Sequence, residues 1–246
     1  MRFYLLVPLF AIVVFIASLE KPTIPLTSQD FDSFRIFVSV LGIIFSIIVG
    51  FTIANVWGEF VNLSGSVKRE SSSLRNIYLL SLHLSTRKLS ETLKQIIPGY
   101  IVSAIKNYWG SSRPSVRQTE EEFVKISRTF EEFVPKTQKD IVILEDVLEE
   151  LRNISANRDN IQSLALAFTP RILWVLLIFF SSILVMAFFL LTVGDRIFAS
   201  LTTALASSAI ALVLFVIYDM DYPFRPGFWE ISPKPYFDVE NFVKTH

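Results

Sequence analysis

The pattern of apolar and polar positions divides this chain of 246 residues into four apolar segments and one long polar region. The apolar segments cover residues 3–18, 36–57, 172–193 and 197–218. A helix needs about 20 residues to cross the hydrocarbon core of a bilayer, so the last three segments are long enough to span it. Only Gly194, Asp195 and Arg196 separate the last two, and this short link predicts a transmembrane helical hairpin.

The first apolar segment is short for a span, and it allows two interpretations. It follows Arg2 and has the length of the hydrophobic region of a signal peptide, which is removed from a mature protein. Its exit reads Ile16, Ala17 and Ser18, without a clean small-x-small cleavage site. We favour a retained helix, which gives four spans and places both termini on the same side of the membrane.

The polar region has its apolar residues at helical spacing, without the alternation typical of strands. They form three stripes: Leu89, Leu93, Ile96, Tyr100, Ile101, Ala104 and Tyr108; Phe123, Ile126, Phe130 and Phe133; and Ile141, Leu144, Val147, Leu148, Leu151 and Ile154. We expect Pro98, residues 110–114 and Pro135 to interrupt or bend these helices. The predicted fold class is therefore an all-α membrane protein with four transmembrane helices and an extramembrane helical domain.

Basic residues near the span ends indicate the orientation of this arrangement. The side that carries the termini and the helical domain has Arg2, Lys68, Arg69, Arg158, Arg171, Arg225 and Lys234. The opposite side has only Lys21, Arg35 and Arg196, diluted by acidic residues. The positive-inside rule then places both termini and the helical domain in the cytoplasm. The expected organisation is transmembrane helices 1 and 2 in residues 1–57, the cytoplasmic domain in 58–170, the hairpin in 171–218 and a cytoplasmic tail rich in proline and aromatic residues in 219–246.

Composition supports a membrane protein and removes several kinds of chemistry. The chain is 52% hydrophobic and 19% charged, whereas soluble domains have about 25% charged residues. Its net charge is zero, so no excess of basic residues indicates nucleic-acid binding. It has no cysteine and only two histidines, so disulfides, thiolate catalysis and histidine-rich metal sites are not available. With no phosphate loop or nucleophile elbow either, we expect no enzyme, no cofactor and no metal site.

The second apolar segment has two unlike faces when it is arranged as a helix. Small residues fall on one face: Ser39, Gly42, Ser46, Gly50 and Ala54. Larger apolar residues lie roughly opposite: Leu41, Ile44, Ile48 and Phe51, with Asn55 at the inner end. Small residues let transmembrane helices approach closely, so this pattern fits a helix packed against its neighbours. It also fits a pore-lining helix whose apolar rings form a constriction, and periodicity alone does not choose between the two.

The local sequence of this segment carries a resemblance to a known family. The stretch LGIIFSIIVGFTIANVWGEFVNLSGSV (41–67) resembles the second transmembrane helix and following turn of bacterial bestrophin-family channels. The matching residues are Phe51, Asn55, Trp57, Gly58, Val61 and Asn62. In that family three bulky apolar residues ring the pore as a neck, and their positional counterparts here are Ile43, Ile47 and Phe51. Thr52 and Val56 stand where the family usually has arginine.

The end of the chain extends the resemblance. YDMDYPFRPGFWEISP (218–233) is similar to the tail of a four-span bestrophin-like bacterial family. The residues that carry the pattern are Asp219, Asp221, Pro223, Phe224, Gly227 and Pro233. The stretches KRESSSLRNIYLL (68–80) and IPGYIVSAIKNYWG (97–110), with Glu70 and Tyr78, also resemble the cytoplasmic helices of that family. The resemblance covers most of the chain from about residue 36 onward.

The resemblance implies a homo-oligomer, with a pentamer favoured, in the inner (plasma) membrane of a bacterium. It implies an ion channel whose partners are the lipid bilayer and inorganic ions. The neck would consist of Ile43, Ile47 and Phe51, with Ser46, Gly50 and Asn55 as polar or packing positions beside it. The alternative is a non-conducting membrane scaffold or sensor whose cytoplasmic domain binds a partner. In that case the face of Gly42, Ser46 and Gly50 could be buried inside one subunit.

Asp219 and Asp221 follow the last span directly, and three interpretations stay open for them. They can form a structural clasp with basic groups such as Arg225, Arg171 or Lys68. Repeated by symmetry, they can form an acidic cytoplasmic rim that attracts ions. The resemblance implies a calcium site as the third interpretation, although calcium takes six to eight oxygen ligands, and Asp219, Asp221 and Glu230 leave that set incomplete. The prolines of the tail favour an extended, docked backbone over a helix.

Overall fold

The computed structural model describes residues 12–14, 16–17, 28–110, 117–167, 169–190 and 196–246. Its seven helices of twelve or more residues are α1 (Ser28–Leu82), α2 (Arg87–Gly110), α3 (Arg117–Glu131), α4 (Gln138–Ala165), α5 (Arg171–Leu190), α6 (Arg196–Met220) and α7 (Lys234–Thr245). Residues 12–14 and 16–17 are helical as well, and no strand occurs among the residues described. The all-α prediction is confirmed.

Three helices in the described part of the chain are long and apolar enough to cross a membrane. They are the helix that contains Asp32–Leu82, Arg171–Leu190 and Ile197–Met220. In α1 the apolar part is residues 36–57, which is the length that a bilayer requires. The predicted span at residues 3–18 lies mostly outside the described residues, so the count of four spans stays a prediction.

The chain divides into two compact units. Unit 1 comprises Met1–Gly58 and Thr169–Asp221, and unit 2 comprises Glu59–Phe168 and Tyr222–His246. α1 contributes to both, because its 55 residues continue as one helix well beyond the apolar part. Its sequence changes character along the way, from a nearly continuous apolar run to apolar residues at helical spacing.

Unit 1 holds the apolar part of α1 together with α5 and α6. α5 and α6 pack against each other with small side chains facing inward, among them Ser181, Ala187, Ala199 and Thr203. The Thr203 hydroxyl donates a hydrogen bond across this pair to the carbonyl oxygen of Phe188 at 3.0 Å. Small residues allow close backbone approach in lipid, which explains a tight hairpin from such a sequence.

Unit 2 contains a continuous apolar core, to which α2 contributes the most residues. Leu93, Tyr100 and Ile101 of α2 are fully buried, as the first stripe predicts. Ile96 of that stripe is only half-buried, and its neighbour Ile97 is fully buried instead. The second stripe, on α3 and at Phe133 just after it, is buried or half-buried throughout. The third was partly wrong, because Ile141 and Leu148 of α4 are exposed. The buried face of α4 is instead formed by Ile143, Val147, Leu151, Ile154 and Ile161.

A polar clasp fixes the start of α4. Thr137 caps the helix by accepting a hydrogen bond from the Asp140 backbone N–H at 3.1 Å. The Asp140 carboxylate accepts hydrogen bonds from the Ser85 hydroxyl at 2.7 Å and the Ser85 N–H at 3.0 Å, in the turn before α2. The Ser85 hydroxyl is the main reason why the pKa of Asp140 lies below its usual range, and the backbone N–H groups of Ser85 and Lys136 contribute to it.

The prolines act differently from one another. α2 continues through Pro98, and Pro135 lies in the break between α3 and α4. The prediction that the tail prolines favour extended backbone over helix was wrong for residues 234–245, which form α7. Pro235 stands in the first turn of α7, where the missing N–H costs no intrahelical hydrogen bond. The buried residues Tyr236, Val239 and Val243 then follow at helical spacing.

Candidate pore face and buried carboxylate cluster

The predicted neck residues lie together on one side of α1, in its apolar part. Ile43, Ile47 and Phe51 follow one another at intervals of four residues, and their exposed fractions are 62%, 54% and 76%. Side chains at this spacing share one helix face, with a drift of about 40° per step. Three large apolar side chains therefore form a continuous ridge that nothing else in the described part of unit 1 covers.

The buried side of the same segment is a narrow seam. Its members are Val38, Phe45, Thr52 and Val56. At about 100° per residue, the centre of this seam lies roughly 165° from the centre of the neck ridge. The apolar part of α1 thus packs against unit 1 along one line and presents the opposite side outward.

The small residues occupy a face beside the neck ridge. No atom lies within 4 Å of the position that a Cβ would take at Gly42 or Gly50, apart from the local backbone of the helix itself. Ser46 and Asn55 are exposed, and the Ser46 hydroxyl donates to the carbonyl oxygen of Gly42 at 2.8 Å. The hydroxyl is therefore satisfied within its own helix, and the face remains narrow and open.

The two predicted rim carboxylates have different surroundings. Asp221 is buried, and its Oδ1 accepts hydrogen bonds from the N–H and the hydroxyl of Thr169, both at 2.8 Å. These bonds join the chain just after α6 to the chain just before α5. Asp219 is half-buried near the end of α6. The acidic rim stays a prediction.

The tail packs against α2 in unit 2. Trp109 Nε1 donates to the carbonyl oxygen of Ile231 at 2.6 Å. The rings of Trp109 and Phe224 meet edge to face, with centroids 5.0 Å apart. Phe224 is buried, whereas Phe228 is exposed. Aromatic packing of this kind favours an ordered tail.

A buried carboxylate, which the sequence analysis did not single out as a site, lies in the core of unit 2. Glu70 of α1 has an exposed fraction of 0%. Its Oε1 accepts a short hydrogen bond from the Tyr100 hydroxyl, and its Oε2 accepts one from the Tyr108 hydroxyl at 3.3 Å. Tyr236 of α7 is also fully buried beside them, and its hydroxyl is among the groups that lower the pKa of Glu70.

The surroundings of Glu70 change its acidity. Burial raises the pKa of the Glu70 carboxyl to about 7, against the lowering effects of the tyrosine hydroxyls and of Arg158. Glu70 follows the last residue of the apolar part of α1 by 13 positions, which is about 20 Å along a helix and outside the spanning segment. Burial likewise raises the pKa values of Tyr100, Tyr108 and Tyr236 well above their usual range, so these groups remain protonated donors.

Arg158 of α4 is the cation whose charge acts on Glu70. It is buried, and its Nη2 donates to Glu120 Oε2 at 2.8 Å and to Thr119 Oγ1 at 3.1 Å. Its guanidinium also lies over the Phe123 ring, 4.4 Å from the centroid. Its charge lowers the pKa of Glu70 and favours the ionised carboxylate.

Comparison with known proteins places these features in a family. A family model of the bestrophin-like domain matches residues 5–236. The chain belongs to the bestrophin-like family. The predicted family is therefore confirmed over most of the chain, and this bestrophin-like chain is a membrane protein with apolar spanning helices. A sequence comparison with curated proteins found no match.

Solved structures share the fold of this bestrophin-like chain. A crystal structure of a single-residue variant of a bacterial bestrophin homologue from Klebsiella pneumoniae has a TM-score of 0.71 at 14% identity, covering 97% of this chain and 95% of that one. A second variant of it has a TM-score of 0.71 at 14% identity, covering 97% and 96%. A structure described as a membrane protein variant has a TM-score of 0.74 at 15% identity, covering 97% and 95%.

Proposed function

We propose that this bestrophin-like protein is an oligomeric ion channel whose pore is lined by the apolar part of α1. The neck consists of Ile43, Ile47 and Phe51, which form stacked apolar rings when several copies surround one axis. Apolar constrictions of this kind gate ion flow by dewetting. Family membership supports a bestrophin-type channel in general, and favours a channel over an enzyme.

The observation that carries this proposal is the unpartnered outer side of α1. Lipid accepts bulky apolar side chains, but a lipid-facing helix has no need of Gly42, Ser46 and Gly50 on an adjacent face. A helix in a ring of identical copies faces both the axis and a neighbour. The neck ridge suits the axis, and the small residues suit close approach by the neighbouring copy.

The scaffold alternative requires a different arrangement of the same residues. It avoids an axis by burying the face of Gly42, Ser46 and Gly50 inside one subunit. The open space at Gly42 and Gly50 does not favour that arrangement. We therefore propose a homo-oligomer, with five copies favoured, in the bacterial inner membrane with both termini in the cytoplasm.

Ion flux in proteoliposomes tests the neck. Purified wild type is compared with an Ile47→Ala/Phe51→Ala variant, which widens the constriction and admits water. We expect the variant to conduct at least several times faster than the wild type. The matched control is Phe198→Ala/Leu205→Ala, which truncates two side chains of similar exposure, 63% and 62%, on α6.

The control should leave flux unchanged. Equal increases in both double variants would mean that leakage follows from general loosening of the bilayer region, and would contradict the neck. Flux in none of the three proteins, each folded and oligomeric, would favour the scaffold.

The acidic rim is tested separately. If Asp219 concentrates ions at the inner mouth, Asp219→Asn changes the ratio of cation to anion permeability without loss of folded protein. An unchanged ratio assigns no rim function to this residue.

A further inference from the structure

We propose that a pocket between α2 and α3 binds a small organic anion, a carboxylate or phosphate ester that also has an apolar body. The pocket belongs to unit 2, lies outside the spanning segments and has a volume of about 360 Å³. This volume is within the range of small-molecule sites, which is about 300–1,000 Å³. The proposal does not depend on whether the protein conducts ions.

The apolar part of the pocket is formed where the first and second stripes meet. Leu89 of α2 is buried, whereas Ile96 of α2 and Phe133 just after α3 are only half-buried. All three side chains line the pocket, so the two helices leave part of their apolar faces uncovered here. An aromatic or aliphatic body in the pocket removes this surface from water, which favours binding.

The charged lining of the pocket is mostly basic. Lys88 of α2 and both Lys125 and Arg128 of α3 are its cations. Glu132, just after α3, is the one carboxylate among the residues that line it. Lys125 pairs with Glu122, from Nζ to Oε1 at 2.7 Å. The side chains of Lys88 and Arg128 form no ion pair with any residue that the structure describes, so two cations are available to a ligand.

The other polar groups of the pocket do not decide the charge of its ligand. The first turns of α2 and the last turns of α3 both line the pocket, and the opposite partial charges of these helix ends offset each other. The hydroxyls of Thr92 and Thr129 donate within their own helices, to the carbonyl oxygens of Lys88 at 2.9 Å and Lys125 at 2.8 Å. The two cations without an ion pair therefore select an anion.

The two parts of the pocket require different parts of one ligand. Lysine and arginine bind carboxylates and phosphates through charge-assisted hydrogen bonds, which are stronger than neutral ones. Inorganic phosphate satisfies only these cations, and a neutral aromatic amide satisfies only the apolar side chains. An organic anion is the class of molecule that uses both.

Equilibrium dialysis of cinnamate against the full-length protein in nanodiscs of zwitterionic lipid tests this site. Cinnamate carries a phenyl ring and a carboxylate, and cinnamamide is its uncharged analogue. The amount of each that empty nanodiscs retain is subtracted. We expect cinnamate to bind about fivefold more tightly than cinnamamide, which is the effect of a partly exposed ion pair. Added salt should reduce this preference, because it screens exposed charges. Inorganic phosphate should displace cinnamate only weakly.

A matched pair of double variants tests the two cations. Lys88→Gln/Arg128→Gln should remove the preference for cinnamate over cinnamamide. Lys106→Gln/Arg152→Gln removes an exposed lysine of α2 and an exposed arginine of α4 that do not line the pocket, and it should keep the preference. Equal affinity for the two compounds in the parent protein, or the same loss in both double variants, would overturn the proposal.

A second substitution tests the position of the site independently of charge. Thr92 is half-buried and lines the pocket, so Thr92→Trp places a large ring in the space that the ligand needs. It should weaken the binding of cinnamate and cinnamamide alike by about tenfold or more, whereas Thr92→Ser should bind both as the parent does. Undiminished binding of cinnamate by Thr92→Trp would mean that the anion lies elsewhere, and would also overturn the proposal.

Discussion

The two units of this protein use the same helix in opposite ways. In unit 1, Ile47 of α1 is mostly exposed, whereas in unit 2, Ile77 of the same helix is completely buried. Only 22% of the most apolar 18-residue stretch of α1 is buried, and the corresponding shares in α5 and α6 are 22% and 28%. Unit 2 completes its core within one chain. Unit 1 leaves most of its apolar surface for lipid and, as we propose, for further copies of the chain.

The largest expected effect is on the core of unit 2. Ile101→Ala should lower the free energy of unfolding by about 2–5 kcal/mol, because it leaves a cavity among closely packed neighbours. Ile47→Ala removes the same atoms from the open side of α1 and should change stability much less. Denaturant or thermal unfolding of both full-length variants in one detergent measures the difference. Equal losses would contradict the contrast between the units.

The next effect concerns the buried cation. Arg158→Gln should cost about 2 kcal/mol, because Glu120 and Thr119 lose a charged donor. It should also raise the pKa of Glu70 further, since the charge that lowers it is gone. Arg152 is an exposed arginine on the same helix, so Arg152→Gln is the matched control. It should change neither the free energy of unfolding nor the pKa of Glu70. The same unfolding measurement, repeated across a range of pH, checks both parts.

A smaller effect is expected at the hydrogen bonds between Thr169 and Asp221 in unit 1. Thr169→Val removes one of the two hydrogen bonds to Asp221 and should cost about 1–2 kcal/mol. Thr202→Val on α6 removes a hydroxyl that bonds only within its own helix, so it should cost less. A melting temperature that is lowered equally by both variants would mean that the bond to Asp221 has no special role.

Gly50→Ala should change stability the least of these variants, and it is the sharpest test of the outer side of α1. Alanine favours a helix over glycine by up to about 1 kcal/mol, and one chain has room for the added methyl group. If identical copies pack closely here, the methyl group instead weakens their association. Native mass spectrometry should therefore detect more dissociated chains. Gly99→Ala in unit 2 is the control, and an unchanged oligomer in both would argue against packing at Gly50.

Much of this fold is readable from the sequence because apolar spacing reports burial directly. Apolar segments of sufficient length predicted the last three spans, and the predicted stripes of α2 and α3 are buried or half-buried. The face of α4 was assigned wrongly, because apolar residues such as Ile141 and Leu148 also occur on its exposed side. α7 was missed because its prolines suggested extended chain, although Pro235 is compatible with a first helical turn.

The buried carboxylate had a signal that sequence reasoning could have used. Leu63, Val67, Leu74 and Ile77 are all buried on α1, and Glu70 occupies the position between them at the same helical spacing. A charged residue within an apolar stripe predicts a buried ionisable group. Its partners were not predictable, because Tyr100, Tyr108 and Tyr236 belong to other helices and meet only in the folded chain.

α1 is one uninterrupted helix of 55 residues. Residues 28–82 contain no proline, the residue that most often kinks a helix. The backbone hydrogen bonds of α1 therefore continue past the end of the apolar part, and no loop has to leave unpaired backbone groups where the membrane would end.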